Sequence, residues 1–234
     1  MSDSCIAIIT ARGGSKRIPR KNIKDFCGKP IIAYSIETAL KSNLFTEVMV
    51  STDDEEIAEI SMKYGAIVPF LRSKKNSDDY SGTSDVLKEV LESYLLNGIK
   101  FSYACCIYPT APFITVDLLR NSFNKLIEQN LDSIFPVLKY SFPIQRALKI
   151  NRDGFMEMFY PENLIKRSQD LEPSFHDAGQ FYLFNVQRFR ETEKLWMKRS
   201  GSIVLSEMDA QDIDTEEDWK LAEFKFKYNR INKV

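Results

Sequence analysis

A chain of 234 residues, 44% hydrophobic and 28% charged, buries roughly 70% of the surface its unfolded form exposes and needs no disulfide staples. A net charge of −1 argues against broad nucleic-acid or membrane-surface binding, so basic clusters have to be read as local sites. Four cysteines without CxxC or Cys/His spacing fit buried free thiols in a reducing compartment, and Met1-Ser2-Asp3-Ser4 lacks the basic start and apolar core of a leader. The expected location is cytoplasmic.

Cys5-Ile6-Ala7-Ile8-Ile9 is a continuous apolar run, as in a parallel strand covered on both faces. Pro30 then opens a helix with Ile32, Ile36 and Leu40 spaced by four. Val48-Met49-Val50 reads as a second strand, and Asp53 to Glu56 suits a helix N-terminus, with Gly65 as the stop. Ser84 to Leu96 is helical, Tyr103 to Tyr108 is a buried strand, Thr115 to Ile127 is a helix, and Ser133 to Val137 is a strand. From Lys139 to Tyr182 the rhythm breaks, which predicts an inserted arm at about 139–182 in an otherwise single domain. Phe181 to Phe184 resumes the pattern, and a last helix starts at Thr215, with Asp218 completing a capping box. The alternation predicts an α/β fold, three layers and Rossmann-like, with a mostly parallel sheet.

The most informative stretch is Ala11-Arg12-Gly13-Gly14-Ser15-Lys16-Arg17-Ile18-Pro19-Arg20-Lys21-Asn22, directly after the first strand. Open α/β sheets bind ligands beyond the carboxyl ends of their strands. Paired glycines allow close backbone approach to phosphate oxygens, and the basic side chains supply charge-assisted bonds to a triphosphate. The stretch matches neither GxxxxGK[ST] nor GxGxxG. A solvated basic turn is the alternative. It would hold six cations from Arg12 to Lys24 with no acid among them, which repel one another unless an anion is bound.

Asp212 and Asp214 are two apart on an extended segment, so both carboxylates face one side. They suit a hard divalent cation such as Mg²⁺, or merely favour the dipole of the helix that follows. Arg146 and Arg167 are candidates to grip a carboxylate, or else surface ion pairs, and His176 is the chain's single histidine.

On these motifs the chain resembles the CMP-sugar-acid synthetases, cytidylyltransferases that activate nonulosonic acids with CTP. Ala11 to Asn22 resembles the family's phosphate loop, and Gly28-Lys29-Pro30 its continuation. Ser51-Thr52-Asp53, Arg72, Ser77-Asp78-Asp79, Tyr108-Pro109-Thr110-Ala111-Pro112 and Gln211-Asp212-Ile213-Asp214-Thr215 fall where the family has matching elements. Phe142-Pro143-Ile144-Gln145-Arg146-Ala147, Arg167-Ser168-Gln169-Asp170-Leu171 and His176-Asp177-Ala178-Gly179-Gln180-Phe181-Tyr182 are most similar to the pseudaminic acid branch. The resemblance implies transfer of CMP from CTP to pseudaminic acid for bacterial surface or flagellar glycans. Legionaminic, sialic or Kdo substrates, or a nucleotide-binding regulator without activity, are the alternatives. It assigns catalysis to Arg12, Lys21, Asp212 and Asp214, with Mg²⁺ on the two aspartates. Substrate contacts go to Ala11, Gly13, Gly14, Ser15, Arg72, Ser77, Asp78, Tyr108, Gln145, Arg146, Arg167, His176 and Tyr182. A homodimer, in which the arm completes the neighbour's sugar site, is also implied.

Overall fold

The computed structural model describes residues 4–78 and 81–232; Met1 to Asp3, and Asp79 of the Ser77-Asp78-Asp79 run, lie outside the described residues. The elements in chain order are β1 (Cys5–Thr10), a short hairpin of β2 (Asp25–Phe26) and β3 (Lys29–Pro30), α1 (Ile31–Ser42), β4 (Glu47–Ser51) and α2 (Glu55–Lys63). Then come α3 (Thr83–Leu96), β5 (Tyr103–Ile107), α4 (Val116–Glu128) and β6 (Ser133–Lys139). An outlying hairpin of β7 (Leu148–Ile150) and β8 (Met156–Met158) precedes β9 (Phe175–Asp177), β10 (Phe181–Asn185), α5 (Val186–Thr192), β11 (Ser200–Leu205) and α6 (Glu216–Asn232).

The main sheet has the order β11-β6-β10-β5-β1-β4, with β9 also paired to β6. β1, β4, β5, β6 and β11 run in one direction, and β9 and β10 run against them. The sheet is therefore mixed but mostly parallel. Strand side chains alternate between its faces. Ala7 and Ile9 pack with Ile32, Ile36, Ile57 and Leu119 of α1, α2 and α4, whereas Ile6 and Ile8 pack with Leu87, Val90 and Phe189 of α3 and α5. These are the three layers. Cys5, Cys105 and Cys106 are buried free thiols, while Cys27 is half-buried at φ 52° in the β2–β3 turn.

Local signals explain the ends of the helices. Asp54 caps α2 by accepting the Ile57 N–H at 3.0 Å, and Thr115 caps α4 by accepting the Leu118 N–H at 3.1 Å. Thr215 and Asp218 form the expected reciprocal capping box, at 2.8 Å and 3.2 Å. α6 docks through Trp219, Ala222 and Phe226 on Phe26 and Tyr34, so the last helix braces the hairpin that follows the basic loop.

Lys139 pairs with Phe175, so the excursion leaves and re-enters the sheet at one place. Residues 175–177 and 181–185 already belong to the main sheet, which leaves 140–174 outside it. Among the described residues, no helix is long and apolar enough to cross a membrane.

Candidate active site

The carboxyl ends of β1 and β5 open into a cleft of about 310 Å³. Arg12, Ser15, Lys16, Arg17, Ile18, Lys21 and Asn22 of the basic loop form one wall. Tyr108, Pro109 and Thr110 follow β5, and Gly179 and Asp212 close the opposite side. Ser81, Thr83 and Val86 bring the start of α3 to the rim, where backbone N–H groups favour an anion. Among the described residues, Arg12, Lys16, Arg17, Lys21 and Arg72 line the cleft against one acid, Asp212, so its field suits a polyanion.

Arg72 is 8% exposed and anchored on Ser51, with Nε 3.0 Å from Oγ and Nη2 2.5 Å from the carbonyl oxygen. Burial draws its pKa down, opposed by Asp53 and Glu89. Tyr108 and Tyr182 meet edge to face, and burial pushes the Tyr108 hydroxyl up to about 12, so it stays protonated at neutral pH. Asn22, 5% exposed, donates to the Arg12 carbonyl at 2.9 Å and fixes the curl of the loop.

Ile213 sinks into the aromatic cluster under α6, and Asp212 and Asp214 flank it on the open side. Surrounding protein and then Asp214 push the Asp212 carboxyl above its ordinary range, although the side chain still reaches solvent. Lys21 donates to the Ile213 carbonyl at 2.6 Å and stands 3.6 Å from Asp214, which also pairs with Arg17 at 2.8 Å. Two hard carboxylates on one side of an extended segment match the chemistry of a divalent cation.

Several residues expected at the site stand elsewhere. Ala11 is fully buried, and its N–H bonds the Ser51 carbonyl at 2.9 Å. Gly13 gives its N–H to Asp53 at 2.9 Å instead of to the cleft, and Gly14 is open to solvent without lining it. Ser77 donates back to Ser73, the Asp78 carboxylate accepts from Ser81, and the Asp78 carbonyl accepts from Arg12 at 3.1 Å. Tyr182 is 7% exposed beneath the cleft and donates to Asp177. Gln145 bonds Glu172, Arg146 bonds Ser168, Arg167 forks onto Asp170, and His176 lies against Tyr140. None of these four lines the cleft of its own chain.

Repulsion within the basic loop is relieved partly by acids remote in sequence. Arg20 pairs with Asp54 and Glu56, and Lys24 with Glu216. Two of the six cations are thereby committed to structure, a feature invisible without tertiary contacts. Ser81 and Thr83 line the cleft without standing in any of the motifs above. Ser-Gly-Thr ahead of a helical pattern was the available signal for both.

A three-layer sheet with a cation-lined cleft at its carboxyl ends is an architecture that holds nucleotides. The chain belongs to the cytidylyltransferase family, whose model matches residues 6–194. It is 42% identical to a pseudaminic acid cytidylyltransferase of Campylobacter jejuni subsp. jejuni, over 96% of this chain and 97% of that protein. It is 31% identical to a CMP-N,N'-diacetyllegionaminic acid synthase of Legionella pneumophila, over 96% and 97% of the two chains. A solved CMP:2-keto-3-deoxy-manno-octonic acid synthetase complexed with CTP superposes with a TM-score of 0.70, covering 97% of this chain and 99% of that one. At 16% identity that likeness speaks for the fold alone.

Proposed function

We propose that this enzyme transfers CMP from CTP to pseudaminic acid, releasing pyrophosphate. The observation that carries the reading is the cation-lined cleft in a chain that matches the Campylobacter cytidylyltransferase over nearly its full length. The anomeric hydroxyl attacks the α-phosphorus, a new P–O bond forms, and the bond to the bridging oxygen breaks as pyrophosphate leaves. The hydroxyl proton goes to solvent or to the departing oxyanion. Arg12 and Lys21 hold the phosphates and meet the charge that grows on them, so catalysis rests on positioning and neutralisation.

Asp212 and Asp214 would hold Mg²⁺, which supplies further neutralisation of the triphosphate when bound. The chain acts as one domain with an arm, in a cytoplasmic homodimer. The arm supports this by exposing Phe142, Leu148, Phe155 and Ile165. Gln145, Arg146, Arg167 and His176 are then offered to the partner's cleft. The product feeds bacterial surface or flagellar glycans, a role in keeping with 28% identity to a post-translational flagellin modification protein B of Campylobacter coli. A legionaminic acid substrate is the second reading, favoured by the Legionella relative. Pyrophosphate release with CTP and each acid sugar in turn decides between them.

A further inference from the structure

Arg20 belongs to the basic loop but does not line the cleft. Its backbone is left-handed, with φ 55°, which a long side chain adopts only where its surroundings hold it. Its guanidinium lies against the start of α2. Nη1 is 2.5 Å from Oδ2 of Asp54, Nη2 is 3.0 Å from Oδ1, and Nη2 also pairs with Glu56. The Asp54 carboxylate caps α2 at the same time.

The other end of the loop rests on the same turn. A Cβ on Gly13 would come within 2.7 Å of Asp54 Oδ2, and the Gly13 N–H donates to Asp53. Both ends of the loop are thus fastened to one helix start. Between them lie Ser15, Lys16 and Arg17, which line the cleft, with Arg12 and Lys21 just outside the two anchor points.

We infer that Arg20, clamped by Asp54 and Glu56, is a positioning residue that shapes the anion loop and touches no substrate. The inference deepens the reading of the cleft as a CTP site and rests on it. The clamp makes the loop's affinity for triphosphate depend on an ion pair beyond its rim. It also assigns Arg20 a part opposite to the one its place in a run of phosphate-binding cations implies.

A double-mutant cycle tests it by titrating CTP with Mg²⁺ into the full-length protein. Arg20→Asn removes the charge while tolerating left-handed backbone. Asp54→Asn with Glu56→Gln removes the partners while keeping a competent cap, so helix content by circular dichroism stays unchanged. Each is expected to weaken CTP about tenfold, and the triple variant to bind no worse than either, as coupled neighbours do. KM for CTP rises with the same pattern, while kcat at saturating CTP stays within about twofold, a split that general loss of stability does not give. Additive losses would overturn the inference, as would tighter CTP binding by the Asp54→Asn, Glu56→Gln protein, since a released Arg20 would then be gripping phosphate. Wild-type protein that binds no CTP would remove the cleft reading itself, and the clamp with it.

Discussion

Side chains of one type fall into separate roles here according to what lies opposite them. Arg12 and Lys21 line the cleft, whereas Arg20 and Lys24 are tied to acids of α2 and α6. Arg12→Ala and Lys21→Ala are each expected to lose about 2–4 kcal/mol of transition-state stabilisation, measured as kcat/KM. Unchanged values in both folded variants would show that the loop does not hold the triphosphate. Asp212 gives a second expectation, in stability. Its folded pKa is raised, so the stability tied to its neutral form is fully present below the ordinary carboxylate range and is lost as pH rises through the raised value. Metal-free Asp212→Asn should therefore melt slightly higher than metal-free wild type at neutral pH, with the gap closing in acid, while its Mg²⁺-dependent turnover collapses. A lower melting temperature at neutral pH, or full turnover, would contradict the assignment. The cations were legible because six of them follow a strand without an acid between them. Which of those cations face the cleft was not, since Asp54, Glu56, Asp214 and Glu216 are remote in sequence.

Elements were legible where burial imposes a period. β1, β4 and β5 are covered on both faces and read as apolar runs, and α1 to α4 carry clear inner faces. β11 was missed because Ser200-Gly201-Ser202 opens an edge strand that is only partly buried. β9 is three residues long, too short for any alternation to show, and the β2–β3 turn depends on positive φ at Cys27 and Gly28. Caps offer a direct test of how far local signals act. Thr115→Ala should lower stability by about 1 kcal/mol in a denaturant titration and leave kcat/KM unchanged, because Thr115 does not line the cleft. The arm offers another. Phe142 is 82% and Ile165 is 92% exposed, so if the arm forms the proposed homodimer, Phe142→Glu with Ile165→Glu should lower the sedimentation coefficient to that of a monomer. An unchanged sedimentation coefficient in that variant would contradict an interface built from the arm.

At the scale of the whole molecule, the sheet brings together a basic loop after β1, Tyr108 after β5, the β9–β10 turn at Gly179, and Asp212 ahead of α6. No single segment of the chain contains the site. The proposed preference for pseudaminic acid rests on the resemblance of the run His176-Asp177-Ala178-Gly179-Gln180-Phe181-Tyr182 to the pseudaminic acid branch. A site that strands a hydrogen-bonding group of the wrong sugar discriminates strongly. The most direct measurement is pyrophosphate release from CTP and Mg²⁺ with pseudaminic, legionaminic, sialic and Kdo acids, each as kcat/KM. Release with pseudaminic acid at least ~100-fold above sialic acid, a difference of about 2.7 kcal/mol, and its loss in excess EDTA are the predicted result. Equal rates with the two sugars would contradict the substrate assignment, and no release with any of the four would contradict cytidylyl transfer to an acid sugar.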